Sequence, residues 1–160
     1  MTIIGIDPGL QGAVAVVSTE NAVAHVLDTP VVSFTKNKKV RTGYDVPGMA
    51  RLLTLFRGAR NDMMIYLEQV NAHPENAVRA AFLMGRGVGT WEGVIGALHL
   101  PLQYVTPVVW KRHHALLGTD KQAARLKAQQ LFPSADLRRK KDVGRADALL
   151  IAAWGKAQQR

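Results

Sequence analysis

The chain has 160 residues and a mass of 17.5 kDa, with 48% apolar and 21% charged side chains. That composition suits one compact domain with a real core, and it excludes a disordered tail or a fibrous repeat. The absence of cysteine excludes a disulfide scaffold, a thiolate zinc site, an iron–sulfur cluster and a thiol nucleophile. No apolar run approaches the roughly 20 residues of a membrane span, and the chain starts on a strand-like segment without a signal-peptide layout. The net charge is +9 and the pI about 10.3. Residues 1–100 hold 9 basic and 8 acidic side chains, whereas residues 101–160 hold 12 and 4. Such lopsided basicity points to a polyanion, nucleic acid in preference to a membrane surface, because clustered cations gain from counterion release.

In chain order, residues 3–7 read as a buried strand ending in an acid. Residues 12–18 and 22–27 follow as further strands of an antiparallel meander after the turn Pro8-Gly9. Residues 33–43 are polar and basic and read as a mobile loop. Residues 47–56 have helical spacing, with Met49, Leu52, Leu53 and Phe56 on one face and Pro47 in the first turn. Residues 63–68 form a second apolar strand ending in an acid, and 71–76 a loop. Residues 77–98 read as a long helix with five glycines, at 85, 87, 89, 93 and 96. Glycine in a helix interior costs up to about 1 kcal/mol, so a close-packed second backbone is expected there. A short strand at 102–105, a helix at 108–116, a helix at 120–132 capped by Thr119, and a last helix from Gly144 or Arg145 to about 158 complete the chain. This order implies a single α/β domain over residues 1–160, with a mixed sheet flanked by helices.

Most of the 12 acids occupy solvent-type positions, but Asp7, Glu68 and Asp147 do not. Asp7 and Glu68 end apolar strands. Asp147 is placed in the first turn of the last helix, at the head of the stripe Leu150, Ile151 and Trp154. Singly, each has an ordinary role as a turn cap, an ion-pair partner or a helix-dipole charge. Together in a basic chain, buried and mutually repelling carboxylates suggest a site for hard divalent cations. Two such ions can drive phosphodiester cleavage.

Three motifs carry a resemblance. Asp7-Pro8-Gly9 with Gly12-Ala13-Val14-Ala15, then Leu67-Glu68-Gln69-Val70, then Arg145-Ala146-Asp147-Ala148-Leu149-Leu150-Ile151-Ala152 resemble the RuvC family of Holliday junction resolvases. Phe82 to Gly87, Trp91-Glu92-Gly93, Val105-Thr106-Pro107 and Trp110-Lys111 are most similar to its phage-type and chloroplast-type members. The resemblance implies an RNase H-like fold with a mixed five-stranded sheet. It implies a homodimer, formed here through the glycine-rich helix. It implies a hydrolase that nicks four-way or branched DNA symmetrically in recombination and repair. Two Mg²⁺ ions per site are implied, with Mn²⁺ as a substitute, and no nucleotide cofactor or membrane partner. A cytoplasmic setting, bacterial or phage-encoded, is implied too.

Asp7, Glu68 and Asp147 fall on three of the family's metal ligands. Relatives commonly carry the fourth three or four residues before the last acid, where this chain has Gly144 and Val143. Asp142 is the candidate fourth ligand, reaching in from the preceding loop; the alternative is a solvated acid neutralising Lys140 and Lys141. Lys121 is a candidate catalytic cation, and Lys111 also matches a lysine near the scissile phosphate. Arg125, the run Arg138, Arg139, Lys140 and Lys141, the pair Lys38 and Lys39, and His73 are candidate DNA contacts. Two rival readings remain: an RNase H-like nuclease acting on flaps, forks or RNA–DNA hybrids, and a non-catalytic branched-DNA binding protein.

Overall fold

The structure, a computed structural model, describes residues 1–20, 24–57, 62–71 and 77–159. Its centre is a five-stranded mixed sheet in the order β3-β2-β1-β6-β7. Strands β1 (Thr2–Asp7), β2 (Ala13–Ser18) and β3 (Ala24–Asp28) form the antiparallel meander. β6 (Met63–Glu68) and β7 (Leu102–Val105) add on in parallel. β1 and β6 are near-continuous apolar runs because helices cover both faces of the sheet.

Alternation along the strands divides the core in two. Ile4, Ile6, Val14, Ile65 and Leu67 pack with Met49 and Leu53 of α1 (Val46–Arg57) and with Trp91, Val94 and Ile95 of α2 (Val78–Ala97). Ile3, Ala13, Ala15 and Tyr66 face the other way. They pack with Trp110 of α3 (Pro107–His113), Ala124 and Ala128 of α4 (Lys121–Leu131), and Leu149 and Ala152 of α5 (Val143–Ala157). α5 lies against β1 so closely that a Cβ on Gly5 would strike the Ala148 carbonyl. Glycine is required at that contact.

The structure corrects several expectations. Residues 33–43 are not a loop but most of a β-ribbon, in which β4 (Val31–Lys36) pairs with β5 (Lys39–Tyr44). Asn37 and Lys38 form its two-residue turn with φ of 52° and 58°, the left-handed conformation that matches strand twist. The helix after Thr119 is capped by Asp120, whose Oδ1 accepts from the Ala123 N–H, while the Thr119 hydroxyl donates to the Leu116 carbonyl. α5 begins at Val143 with Asp142 at its N-cap, so Asp147 stands one turn inside the helix. Among the five glycines of α2, only Gly87 meets another backbone, at the Pro8 carbonyl. A Cβ at 85, 89, 93 or 96 would meet nothing within 4 Å.

Candidate metal centre

Strand register and pleat assemble the acids. Ile6 is aligned with Leu67 across the parallel β1–β6 ladder, so the next residues, Asp7 and Glu68, end neighbouring strands side by side. By alternation both belong to the face that carries Ile3, Gly5 and Tyr66, which is the face α5 covers. Asp147 precedes Ala148, the α5 residue whose carbonyl touches Gly5. Gly144 lets α5 approach: a Cβ there would collide with the Gln11 carbonyl and lie 3.1 Å from Asp7 Oδ2. Asp7 is oriented from within its own turn, where Oδ1 accepts from the Gly9 N–H at 3.0 Å.

Burial and proximity act together on these groups. Burial raises the Asp7 carboxyl above the usual range, opposed by the Gly9 N–H and by Lys121. Glu68 is pushed up to about 7, first by burial and then by the Asp7 charge, against a Trp110 hydrogen bond and Lys111. Asp147 is also pushed up to about 7, by burial and by Asp7 and Glu68, against Lys111 and Lys121. Three desolvated carboxylates, two of them raised further by the charge of their acidic neighbours, are a costly arrangement in the absence of a cation. An all-oxygen carboxylate set suits Mg²⁺ or Mn²⁺ and not a soft metal. Among the described residues no three acidic or histidine side chains are already gathered at metal-holding distance.

Asp142 is not brought to this group. It is buried, and both its oxygens are taken by arginine: Oδ2 accepts from the Arg139 N–H at 2.8 Å and Oδ1 from Arg139 Nε at 2.7 Å, with Arg145 at 3.9 Å. Arg139 and Arg145 also bind Asp28 at the end of β3. The result is an arginine–aspartate clamp between β3 and the start of α5.

The candidate DNA contacts divide in the same way. Lys121, exposed at the start of α4, bears on Asp7 and Asp147, and Lys111 bears on Glu68 and Asp147. Arg125 donates to Gln122 Oε1 and to the Leu137 carbonyl, tying α4 to the following loop. Arg138 pairs with Asp136 and Arg139 with Asp142 and Asp28. Lys140 and Lys141 are exposed ahead of α5, and Lys38 and Lys39 at the ribbon tip. His73 lies outside the described residues.

Trp110 is buried in the core, and its indole donates to Glu68 Oε1, a contact the sequence did not reveal. Its position directly before Lys111 was the available signal. Sequence reasoning also missed Tyr44, which donates to the Pro8 carbonyl at 3.0 Å and so braces the turn after Asp7. No local pattern marks that residue.

Sheet order, helix placement and acids at the strand ends define an RNase H-like fold. The chain is similar to the structure of T. thermophilus RuvC in complex with a Holliday junction substrate, with a TM-score of 0.60 and 19% identity over 95% of this chain and 90% of that one. A second Thermus thermophilus RuvC structure gives 0.58 and 15% over 99% and 97%. In sequence the chain is 34% identical over 111 residues, 68% of its length, to the chloroplastic Holliday junction resolvase MOC1 of Chlamydomonas reinhardtii. The match spans only 12% of that longer protein. No protein-family model matches. The chain has the fold seen in RuvC. Among the described residues no helix is long and apolar enough to cross a membrane.

Proposed function

We propose that the protein is a divalent-metal-dependent endodeoxyribonuclease that resolves four-way or branched DNA by paired nicks. The observation that carries this reading is the convergence of Asp7, Glu68 and Asp147 on one face of the sheet, faced by Lys111 and Lys121. The names of the chloroplastic relative and of the junction-bound structural neighbour support the substrate class. Asp7, Glu68 and Asp147 would hold two Mg²⁺ ions, for which Mn²⁺ substitutes. Such ions supply activation of water and neutralisation of the departing oxygen.

The remaining work belongs to the chain. The Gly9 N–H fixes the Asp7 carboxylate. Lys121 reaches in from an exposed helix start, where it can meet a phosphate and offset charge that develops on it. Lys111 does the same beside Glu68. Lys140, Lys141, Lys38 and Lys39 bind DNA backbone outside the centre and hold the strand in register. Arg125, Arg138, Arg139 and Asp142 serve chiefly to hold the α4–α5 region in place; this assigns Asp142 to the clamp and leaves three carboxylates as ligands. Open space over Gly85, Gly89, Gly93 and Gly96 fits a second copy of α2, and a two-fold homodimer would cut opposed strands symmetrically. A cytoplasmic, bacterial or phage-encoded setting suits such a substrate.

The test is nicking of a mobile four-way junction in Mg²⁺, beside linear duplex, a flap and an RNA–DNA hybrid, with wild type and Glu68→Gln. Symmetric ligatable nicks confined to the junction, lost in Glu68→Gln while binding persists, are expected. Preference for the flap or hybrid would transfer the protein to another nuclease class. Junction binding without cleavage in Mg²⁺ or Mn²⁺ would leave a branched-DNA binding protein.

A further inference from the structure

Trp110 is fully buried in the core between the sheet and α5. Hydrophobicity alone would account for it, yet its Nε1–H donates to Glu68 Oε1 at 2.9 Å. Among the described residues the equally buried Trp91 finds no hydrogen-bond partner for its own Nε1, so burial of an indole does not by itself bring it a protein acceptor. The bond to Glu68 is therefore a specific pairing. Glu68 needs one: the ladder fixes its backbone at the end of β6, but its carboxylate still turns about three side-chain bonds. A single donor on one oxygen selects one orientation.

The element that carries the indole is anchored twice. Trp110 holds the strand bearing Glu68. Four residues on, at the end of α3, His114 Nε2 pairs with the Leu150 carbonyl of α5 at 2.8 Å. α3 thus connects the strand that carries Glu68 to the helix that carries Asp147. Lys111 lies with its ammonium 5.2 Å from the Trp110 ring centroid, so the indole also places that cation.

We propose that Trp110 is the positioning residue of the centre, its indole N–H holding one Glu68 oxygen so that the other is presented to a cation shared with Asp7 and Asp147. This rests on the metal-dependent reading above. Groups that orient a metal ligand commonly contribute 10–100-fold to metal affinity.

The experiment is Mn²⁺ binding to the full chain without DNA, followed by electron paramagnetic resonance, with the thermal midpoint recorded alongside. Wild type, Trp110→Phe, Glu68→Gln and the double variant are compared. Phenylalanine keeps an aromatic ring in the core and removes the donor. The expected result is Mn²⁺ affinity about 10-fold or more weaker in Trp110→Phe, with no further loss when it is added to Glu68→Gln. The Mg²⁺ concentration for half-maximal nicking should rise by the same factor. Wild-type affinity in Trp110→Phe, or equal losses in both backgrounds, overturns the inference and leaves the metal reading intact. A wild type that binds no Mn²⁺ and nicks nothing overturns that reading and this one together. Should Trp110→Phe not fold, the indole N–H resonances of the wild type decide. Mg²⁺ should shift the Trp110 signal and not that of Trp91; a Trp110 signal indifferent to Mg²⁺ overturns the inference.

Discussion

Asp142 and Asp147 stand at the same end of one helix in opposite surroundings, one among arginines and the other among acids. Asp142 has both oxygens engaged, by the Arg139 backbone N–H and by the Arg139 guanidinium. Asp147 is half-buried beside Asp7 and Glu68 and pushed up to about 7. Neutralising each should therefore change stability in opposite directions. Asp147→Asn removes a repelled charge and is expected to raise the metal-free thermal midpoint at pH 8 by ~2–4 °C, about 1 kcal/mol at this length, while abolishing nicking. Asp142→Asn leaves Arg139 and Arg145 short of a partner and should lower it, at a cost of about 2–3 kcal/mol. Calorimetry reads both signs; a stabilising Asp142→Asn would return Asp142 to the ligand set. Glu68 and Asp147 also predict the pH dependence. Their folded values, about 7, exceed the reference values of 4.5 and 3.8, so the folded state holds protons that the unfolded chain has released. The associated stability is complete below about pH 4 and is lost as pH rises through about 7. Metal-free protein should melt lower at pH 8 than at pH 6, and Mg²⁺ should narrow the gap, because binding requires ionised carboxylates. A midpoint that climbs from pH 6 to 8 without metal would contradict this.

The β4–β5 ribbon shows what an element adds beyond its residues. Its register sets Lys36 opposite Lys39 and Phe34 opposite Arg41 on one face, leaving Ser33, Thr35, Val40 and Thr42 on the other. A segment that reads as a basic loop is a two-sided strand pair with its cations on one face and Lys38 in the turn. Its base is tied to the centre through Tyr44 and the Pro8 carbonyl. If the ribbon tip meets DNA phosphates, Lys38→Ala with Lys39→Ala should reduce the slope of log affinity against log salt by about 2. The thermal midpoint should stay unchanged, since both side chains are exposed. An unchanged salt slope would remove the ribbon from the DNA path.

At the scale of the molecule, α2 faces two ways. Trp91, Val94 and Ile95 enter the core, and Gly87 meets the Pro8 carbonyl and the Tyr44 hydroxyl. The other four glycines face open space. Gly87→Ala should therefore destabilise the monomer, whereas Gly89→Leu or Gly93→Leu should leave its fold intact and block a second α2. Sedimentation should show the dimer weakened by ~30-fold or more, as for a central interface position. Junctions should then carry single in place of paired nicks. A Gly93→Leu protein that still dimerises and pairs its cuts would put the interface elsewhere.

Strands 63–68 and 102–105 were legible to the residue, the first as an apolar run closed by an acid and the second as a short strand stopped by Thr106-Pro107. Asp7 and Glu68 stood out for the same local reason, as acids closing such runs. The ribbon was not legible, since its turn uses Asn37-Lys38 where Asn-Gly would have announced it. Neither was the fate of Asp142, whose clamp depends on Asp28 meeting Arg145 from 117 residues away. Nor was the bond from Trp110 to Glu68, which spans 42 residues. Periodicity and charge are short-range properties that a chain displays in order. Which buried polar atom finds which partner depends on how strands and helices dock, and only the assembled core chooses among the acids.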